Sequence, residues 1–532
     1  MSQTMKVKNI ILGLLGFSLL ALSSCEKTFD QLEKDSNRAV QVPASLVLQS
    51  IEYNVMNDNG RPFSAEMRWN QFYCSNYNYY ANNEYNLGQM PNQYTTLKNV
   101  VKMEEEAKKL GLADVNGYSA LGKFFRAYFF DQMSKRVGDL PMTDALKGIA
   151  NTAPKYDSQK VIYVQILKWL DDANADLTTL IAKGETVSGD FYFGGDLKKW
   201  QKVVNAYRLR VLITLSKKDT DAELGVKAKF AEMVTNATKY PMMASNAESL
   251  QFVWNSFNKY PSNPDNFGFD ATRQNMASTY VGFLTSIQDP RVMVTCEPAG
   301  SDLKAGKLPS DYTAYRGAGS GDNIDDMAKN AGLSNGAGFA PGIYSFQSRS
   351  RYYQNYTGEN TFIVGYPELC FNIAEGYARG WATGSAEDWY KKGIKASHAF
   401  YGIVEGANTF TYSKTGTRDA ADQTKYSVNF NFDTYYAQSA VAYDATNAIQ
   451  KIVSQKYAAF FMNSGMEAYF NWRRTGFPAF SSGVGNGNSN RIAQRWIYPT
   501  TERTANATNY TAAITSQYAG KDDINDIMWL NK

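Results

Sequence analysis

One short segment of the chain concentrates side chains that are suited to holding a ligand. The segment WNQFYCSNYNYYANNEYN, from Trp69 to Asn86, contains one Trp, one Phe, five Tyr and six Asn in eighteen residues. Tyr and Trp combine a flat apolar face with a polar tip, which suits a partly wet surface. The apolar residues follow neither the helical nor the strand period, and Asn favours turns. The pattern predicts a loop that either binds a ligand or packs on its own domain.

The residues that could do acid, base or nucleophilic chemistry do not form a catalytic arrangement. His398 is the single histidine, and no Ser-His-Asp or Cys-His set can be built around it, so we expect a packed or solvated side chain. Glu104 to Glu106 precede Lys108 and Lys109 at the i, i+4 spacing of a helix, which predicts a solvated helix face.

Metal and phosphate sites find little support in the sequence. The tract GAGSGDNIDDMAKNAGLSNGAG has neither the Lys-Ser/Thr of a phosphate-binding loop nor the spacing of a calcium loop. It predicts a flexible loop, and Asp322, Asp325 and Asp326 leave calcium binding as an open alternative. The irregularly spaced Cys74, Cys296 and Cys370 argue against a disulfide framework or a zinc site, and Cys370 fits a helix core. We expect no metal and no cofactor.

Composition favours binding over catalysis. The 532 residues suffice for a sizeable core. They include 36 Tyr and 29 Phe, which is a large supply of contact surface beside a single histidine. Lys plus Arg number 55 against 51 Asp plus Glu, so nothing indicates a nucleic-acid partner.

The N-terminus has the features of a lipoprotein leader. Lys6 and Lys8 precede the apolar run from Ile10 to Leu22, which is too short for a membrane-spanning helix and typical of a signal peptide. The following LSSC resembles the bacterial lipobox, in which the leader is cut before the Cys and the thiol receives a diacylglycerol. This predicts a lipid on Cys25, and an ordinary secretory cleavage is the alternative.

Two helical pairs are legible in the middle of the chain. In GYSALGKFFRAYFFDQMSKRVG, one face holds Leu121, Phe124, Phe125, Tyr128 and Phe129. The next helix follows Asp157 or Ser158 as its cap and has one apolar face, formed by Ile162, Ile166, Trp169, Leu170, Ala173, Leu177 and Leu180.

A second pair joins YPELCFNIAEGYARGW to SAEDWYKKGIKASHAFYG, in which small and large residues alternate. In tetratricopeptide-like helical pairs, large side chains of one helix pack against small side chains of the other. Between the helical blocks we predict four long loops, at Asn255 to Phe269, Ala299 to Gly342, Gly406 to Tyr435 and Ser481 to Asn490.

Several motifs in order resemble the SusD/RagB nutrient-binding outer-membrane lipoproteins of Bacteroidetes. They are KFFRAYFFDQMSKRVGDLPMTDAL, PKYDSQKVIYVQILKWLDDANADL, DFYFGGDLKKWQKVVNAYRLRVLI, QDPRV, EAYFNWRRTGFP and RIAQRWIYPTTERTAN. The resemblance extends over nearly the whole mature chain. The matching residues are scaffold: Tyr156, Asp157, Ser158, Gly195, Asp196 and Trp200 at helix starts, with Arg473, Arg474, Arg495 and Glu502 expected in ion pairs.

The resemblance implies a mainly α fold of tetratricopeptide-like helical pairs, a SusD-like superhelical scaffold, with a large loop-rich ligand-binding portion. It also implies a non-catalytic, lipid-anchored protein of the outer-membrane surface. Such a protein captures a glycan and delivers it to a SusC-like TonB-dependent transporter. The organisation that follows is a signal peptide over 1–24, a lipidated tether over 25–45 and one SusD-like domain over 46–532.

The ligand-contacting residues are predicted from chemistry, because the family motifs carry no site. A sugar ring offers a C–H face to aromatic rings and a belt of hydroxyls to amides and guanidinium groups. The candidates are Trp69, Tyr73, Tyr77, Asn78, Tyr79, Tyr80, Asn82, Asn83 and Tyr85, with a second cluster of Arg349, Arg351, Tyr352, Tyr353 and Asn355. A peptide or other nutrient as cargo, a glycoside hydrolase and a pure protein scaffold stay as alternatives.

Overall fold

A computed structural model describes residues 42–57, 60–79, 81–332, 342–414 and 420–532. Cys25, Tyr80, the leader and most of the predicted tether lie outside these residues, and the division into 1–24, 25–45 and 46–532 stays a prediction.

The described residues contain twenty α-helices. They are α1 Ala44–Asn57, α2 Ala65–Trp69, α3 Tyr94–Lys109, α4 Gly117–Val137, α5 Gln159–Ala182, α6 Leu197–Thr214, α7 Val226–Thr235, α8 Phe267–Asp270, α9 Ser278–Ser286, α10 Arg291–Thr295, α11 Gly300–Lys304, α12 Ile324–Asn330, α13 Arg349–Tyr352, α14 Tyr366–Ala378, α15 Ala386–Phe400, α16 Phe432–Tyr436, α17 Ala448–Ala459, α18 Glu467–Thr475, α19 Glu502–Ala505 and α20 Ala507–Tyr518.

The strands of the described residues are short and pair in twos. They are β1 Tyr73–Ser75, β2 Leu250–Phe252, β3 Gln274–Met276, β4 Thr361–Val364, β5 Gly406–Ser413 and β6 Gln423–Phe430. The pairs β1–β3, β2–β4 and β5–β6 are all antiparallel. The fold is therefore mainly α, as predicted.

Helices α4 and α5 form the first predicted pair. Asn116 caps α4, and its side chain accepts a hydrogen bond from the backbone N–H of Ser119 (3.0 Å). Ser158 caps α5 by accepting from the N–H of Val161 (3.4 Å). All five predicted core residues of α4 are buried. On α5, Trp169 is partly buried and the other six predicted residues are buried. The prediction of this pair is confirmed.

Helices α14 and α15 form the second predicted pair, in which glycines admit bulky neighbours. A Cβ at Gly393 of α15 would lie 2.7 Å from the ring of Phe371 on α14. A Cβ at Gly376 of α14 would lie 2.1 Å from the ring of Phe230 on α7. Real Cβ atoms do not approach that closely, so these contacts depend on glycine. The predicted nesting of large against small residues is confirmed.

Buried ion pairs connect the helices at the centre of the scaffold. Arg474 of α18 pairs with Glu375 of α14, and both side chains are buried. Arg495 donates to Asp522 (2.6 Å), which confirms the ion pair predicted for Arg495 near the C-terminus. Arg473 instead donates to the backbone carbonyl of Lys135 (2.6 Å).

Glu502 also departs from its predicted ion pair. Its carboxylate accepts a hydrogen bond from the Tyr156 hydroxyl (2.7 Å). The predicted ion pairing is thus correct for Arg474 and Arg495, whereas Arg473 and Glu502 are held by other polar groups.

The predicted loop from Gly406 to Tyr435 is instead a β-hairpin followed by α16. Strands β5 and β6 pair over eight residues each, from Gly406↔Phe430 to Ser413↔Gln423. Phe410 and Phe430 are buried, whereas neighbouring residues along the strands are more exposed. This alternation is the strand period, and the polar Asn and Thr residues between the rings masked it in the sequence.

Two further expectations concern single side chains. His398 is buried, and its Nε2 lies 3.4 Å from the Asp289 carboxylate, so it packs in the core. Burial lowers its pKa below the usual value for histidine. Cys74, Cys296 and Cys370 are buried free thiols. Among the described residues, no helix is long and apolar enough to cross a membrane.

Candidate functional site

The aromatic segment from Trp69 to Asn86 is not one loop. Its first half ends α2 and continues into β1, which pairs with β3 so that Tyr73 lies opposite Met276 and Ser75 opposite Gln274. All three residues of β1 are buried. The loop prediction is wrong for this half, because the strand is too short for an alternating pattern and β3 lies about 200 residues away in sequence.

Several predicted ligand contacts of this segment lie in the core. The Tyr73 hydroxyl donates to the carbonyl of Phe63 (2.7 Å), and the Tyr85 hydroxyl donates to the carbonyl of Trp69 (2.7 Å). Burial raises the pKa of Tyr73 to about 12. Asn83 both donates to the carbonyl of Ser75 (2.8 Å) and accepts from its N–H (2.7 Å). These three side chains support the loop rather than present a surface, so we leave them out of the site.

Trp69 occupies an intermediate position. Its Nε1 donates to the carbonyl of Glu84 (3.0 Å), and its ring packs edge-on against Trp496 with 5.9 Å between centroids. The ring is only partly buried. Trp69 therefore fixes the path of the loop and keeps some surface near it.

The exposed part of the segment is a patch of two tyrosine rings. Tyr77 is 39% exposed and Tyr79 is 79% exposed, and their ring centroids are 6.1 Å apart with 40° between the planes. The guanidinium of Arg273 lies 4.8 Å from the centre of the Tyr77 ring. Asn78 and Asn82 are exposed beside the rings. We call the set Tyr77, Asn78, Tyr79, Asn82 and Arg273 the ring patch.

The ring patch rests on a hydrogen-bonded base. Asn76 is buried and donates to Asn275 Oδ1 (2.5 Å) and to the carbonyl of Thr272 (3.1 Å). The N–H of Asn76 donates to the carbonyl of Arg273 (3.0 Å). These bonds fix the backbone on both sides of the patch, so its polar and aromatic groups are held in position before a ligand arrives.

Most of the second predicted cluster is also buried. Arg349, Tyr352 and Tyr353 have no exposed surface. The Tyr352 ring stacks on Tyr260 with 5.9 Å between centroids, and the Tyr353 hydroxyl accepts from Gln347 (2.6 Å). We therefore leave Tyr352 and Tyr353 out of the site as well.

The two arginines of that cluster are committed to the protein interior or to an ion pair. The Arg349 guanidinium lies 4.9 Å from the centre of the Phe346 ring, and burial lowers its pKa. Arg351 is partly exposed and pairs with Glu359 (2.5 Å). Asn355 is exposed, but its Oδ1 accepts from the N–H groups of Thr357 (2.9 Å) and Gly358 (3.0 Å). Neither Arg351 nor Asn355 joins the ring patch.

Strand β3 lies between the two predicted clusters. It pairs with β1 on one side, and on the other side Met276 N–H donates to the carbonyl of Ser345 (2.9 Å). An isolated bridge also joins Asn275 to Phe346. The clusters are thus neighbours across one strand, but the second faces mainly inward.

Sequence reasoning missed Arg273, a residue of the ring patch, and an exposed ring that lies close to it in sequence. Arg273 precedes β3 and contacts the Tyr77 ring. Phe269, on α8, is 58% exposed four residues before Arg273. No sequence signal marks them, because only the pairing of β1 with β3 brings this segment to Tyr77.

The carboxylates considered for catalysis are held in ion pairs. Glu104 pairs with Arg126 of α4, and Glu106, which is nearly buried, pairs with Lys102 (2.7 Å) and Lys109 (2.8 Å). The prediction of a solvated face is wrong for these two and holds for Glu105, which is 57% exposed. Within the described ranges, no group of three His, Cys, Asp or Glu residues could hold a metal ion.

The mainly α scaffold of paired helices is a SusD-type fold. The chain belongs to the SusD-like family, whose description is starch-binding associating with outer membrane, and the family model matches residues 36–499. Association with the outer membrane and glycan binding are thus properties of the family.

Solved structures agree with this assignment. One SusD homologue from Bacteroides fragilis is 27% identical with a TM-score of 0.77, and the match covers 92% of this chain and 100% of that one. A second from the same species is 28% identical with a TM-score of 0.75 and the same coverage. A chitin-binding SusD homologue from Flavobacterium johnsoniae is 20% identical with a TM-score of 0.64, covers 91% and 95%, and shares the fold. No curated protein matches the chain.

Proposed function

We propose that the protein binds an oligosaccharide at the ring patch without cleaving it. The observation that carries this proposal is the pair of exposed rings of Tyr77 and Tyr79, 6.1 Å apart and beside the Arg273 guanidinium, in a family described as starch-binding. The rings offer flat faces to the C–H side of sugars, and Asn78 and Asn82 offer amides to the hydroxyls. A solved relative that binds chitin is consistent with a glycan ligand.

The ring patch suits modest affinity. Each ring contact contributes about 0.5–1.5 kcal/mol, and each net hydrogen bond contributes about 1 kcal/mol. Two rings and three or four hydrogen bonds sum to about 4–7 kcal/mol before the cost of lost translational and rotational freedom, so we expect a Kd no tighter than about 10 µM. Modest affinity fits a carrier that must release its cargo.

Delivery to a transporter completes the proposal. We propose that a lipid on Cys25 holds the protein on the outer surface of the outer membrane. There it passes the oligosaccharide to a SusC-like TonB-dependent transporter. Support for this step comes from the lipobox-like LSSC sequence and from a family described as associating with the outer membrane.

Calorimetric titration of the full-length lipoprotein in detergent tests the proposal. We expect binding to a panel of neutral oligosaccharides, and a Tyr77→Ala, Tyr79→Ala double variant should weaken it by about 5- to 150-fold because both ring faces are lost. The matched control is Phe257→Ala, which removes a ring that is 94% exposed on a different loop. Unchanged affinity in the double variant would reject the ring patch while leaving the family assignment intact.

The same preparation distinguishes the competing functions. Chromatography of the glycan after prolonged incubation should recover it at its original length, and shortened products would indicate a hydrolase. Binding of peptides in place of glycans would favour the other nutrient class. Binding of neither class would favour a scaffold that contacts only proteins.

A further inference from the structure

A polar groove of about 830 Å³ lies near the C-terminus, and its lining includes no residue of the ring patch. One wall is the loop that carries Asn488 and Arg491, and the other is the segment from Gly520 to Asn525. Ile497 and Ile524, both partly exposed, contribute the accessible apolar surface of its lining, whereas Tyr510 and Ile514 of α20 are each only 7% exposed. The groove thus combines an apolar surface with a polar rim.

The rim carries more free positive than negative charge. Arg491, Arg503 and Lys521 are exposed there. Among the described residues, Lys521 makes no ion pair, and the Arg491 guanidinium donates to a backbone carbonyl, that of Asn488 (3.3 Å). Two of the three cations are therefore available to an anion that enters the groove.

The two acids of the groove are already bound by donors of the protein. Asp522 accepts from Arg495 (2.6 Å) and from the Tyr510 hydroxyl (3.1 Å), and Arg503 lies 3.7 Å from it. Asp523 accepts from the N–H of Asn525 (2.8 Å). Asp522 is thus held by the protein's own donors, whereas Asp523 is exposed and only its Oδ1 is bound, by Asn525. With Arg491, Arg503 and Lys521 against these two acids, the lining keeps one positive charge in excess.

We propose that this groove is a second saccharide subsite that binds the anionic group of an acidic oligosaccharide. A sugar that carries a carboxylate or a sulfate has an apolar face that fits the partly exposed Ile497 and Ile524, and an anion that fits Arg491 and Lys521. Guanidinium and ammonium groups form charge-assisted hydrogen bonds with either anion. The inference rests on the proposed function, because it assumes that the cargo is a glycan.

The groove adjoins the segment that carries the ring patch. Asn488, which lines the groove, donates from its N–H to Asn86 Oδ1 (3.2 Å). Ile497, another lining residue, forms a backbone bridge with Gln89. The groove therefore borders residues 86–89, at the C-terminal end of the aromatic segment that carries the ring patch.

The backbone of the groove wall is held in an unusual conformation. Asn488, Ser489 and Asn490 have φ values of 45°, 55° and 64°, in the left-handed region that non-glycine residues rarely adopt. Asn adopts this region more readily than other non-glycine residues, and such conformations persist where surrounding contacts fix them. Here Asn488 Nδ2 donates to Asn525 Oδ1 (2.7 Å), which ties one wall of the groove to the other.

Titration of the full-length lipoprotein with three hexasaccharides tests the inference. The probes are a galacturonate hexamer, a sulfated hexasaccharide and neutral maltohexaose. The variant is Arg491→Gln with Lys521→Gln, and Arg503→Gln is a second variant at the rim. The matched control is Lys183→Gln, an exposed cation on the C-terminal side of α5. Melting curves verify that each variant folds.

We expect the double variant to weaken binding of an anionic probe about five- to tenfold, which corresponds to two exposed charge contacts. Raising NaCl from about 0.05 M to about 0.5 M should weaken the same binding because salt screens exposed charges. Maltohexaose and the control should be unaffected. Comparison of the galacturonate and sulfated probes identifies the preferred anion.

Two results would overturn the inference. Equal affinity of the wild-type protein for all three probes, or unchanged anionic binding in both rim variants, would reject the groove as a subsite. If the protein still binds neutral maltohexaose and that binding depends on Tyr79, the proposed function is retained. Binding of no oligosaccharide would reject both.

Discussion

At the scale of single residues, burial separates tyrosines that the sequence treats alike. Tyr73 and Tyr79 lie six residues apart in one aromatic segment, yet Tyr73 is fully buried and Tyr79 is 79% exposed. The Tyr73 hydroxyl donates to main-chain carbonyls of the core, and the Tyr79 ring faces solvent beside Tyr77. A tyrosine ring can bind a ligand only where the fold leaves it exposed, so the type of residue alone does not identify the contacts.

A buried pair of carboxyl groups shows how position also alters acidity. Glu52 of α1 is fully buried, accepts from the N–H of Phe191 (3.0 Å) and adjoins Asp190. The Asp190 carboxylate accepts from Trp200 Nε1 (2.9 Å) and from the N–H of Gly195 (2.9 Å). Burial, and then the charge of Asp190, raise the pKa of Glu52 from 4.5 to about 10.

The raised pKa of Glu52 predicts that Glu52→Gln stabilises the protein at alkaline pH. The folded pKa of Glu52 lies above the unfolded one, so its contribution to stability is complete below about pH 4.5 and is lost as the pH rises toward 10. Gln cannot ionise and can donate to Asp190. We expect the variant to match wild type near pH 4 and to exceed its free energy of unfolding by about 2–4 kcal/mol at pH 8.

Urea denaturation at both pH values measures the difference for Glu52→Gln. Glu105→Gln is the matched control, because Glu105 is 57% exposed on α3 and its loss should leave stability nearly unchanged. A variant that is destabilised equally at pH 4 and pH 8 would contradict the assignment of a protonated Glu52.

At the scale of elements, the helical pairs depend on complementary side-chain sizes. The α14–α15 contact leaves no room for a Cβ at Gly393, whose nearest neighbour would be the Phe371 ring at 2.7 Å. Gly282 of α9 differs, because a Cβ there would meet no atom within 4 Å. Packing therefore requires a glycine at position 393, whereas the space around position 282 would accept a larger residue.

Alanine substitution at these glycines should act in opposite directions. We expect Gly393→Ala to lower the free energy of unfolding by about 1–3 kcal/mol, because the added methyl group overpacks the helix contact. Gly282→Ala, the matched control, should raise it by about 0.5–1 kcal/mol through its better helix propensity. Thermal unfolding of both variants measures the difference, and a stabilising Gly393→Ala would show that the α14–α15 contact is looser than described.

At the scale of the whole molecule, the scaffold and the binding surface come from different kinds of element. The long helices α4, α5, α6 and α14 form much of the buried core. The ring patch lies on segments that connect short elements, and the groove lies between α20 and the connecting segments around Asn488 and Asp523. Connecting segments tolerate variation that a core does not, which suits a family whose members bind different ligands on one fold.

The proposed lipid anchor predicts that a single residue controls the membrane attachment of the whole molecule. We expect Cys25→Ala to move the protein from the membrane fraction to the soluble fraction. Each buried acyl CH₂ contributes about 0.8 kcal/mol to anchoring, and the variant cannot receive the lipid. Fractionation followed by immunoblotting measures this, with Cys74→Ala, at a buried free thiol, as the control. Continued membrane retention of Cys25→Ala would contradict a lipid anchor.

The sequence by itself determined the class of fold and much of the core. The apolar stripes of α4 and α5, the cap at Ser158 and the small residues of α15 are local patterns, and each was confirmed. Local patterns are legible because helical hydrogen bonds and caps connect residues a few positions apart. The order of the motifs also identified the family.

Only the tertiary structure decided which candidate residues reach a surface. The pairing of β1 with β3 buried Tyr73 and brought Arg273 to the Tyr77 ring, and β5 and β6 formed where a loop was predicted. In the wall of the groove, Asn488 forms hydrogen bonds with Asn525 and with Asn86, and Asn86 lies about 400 residues earlier in the chain. Strand pairing and groove formation depend on contacts between residues distant in sequence, and a single sequence does not encode those contacts as a local pattern.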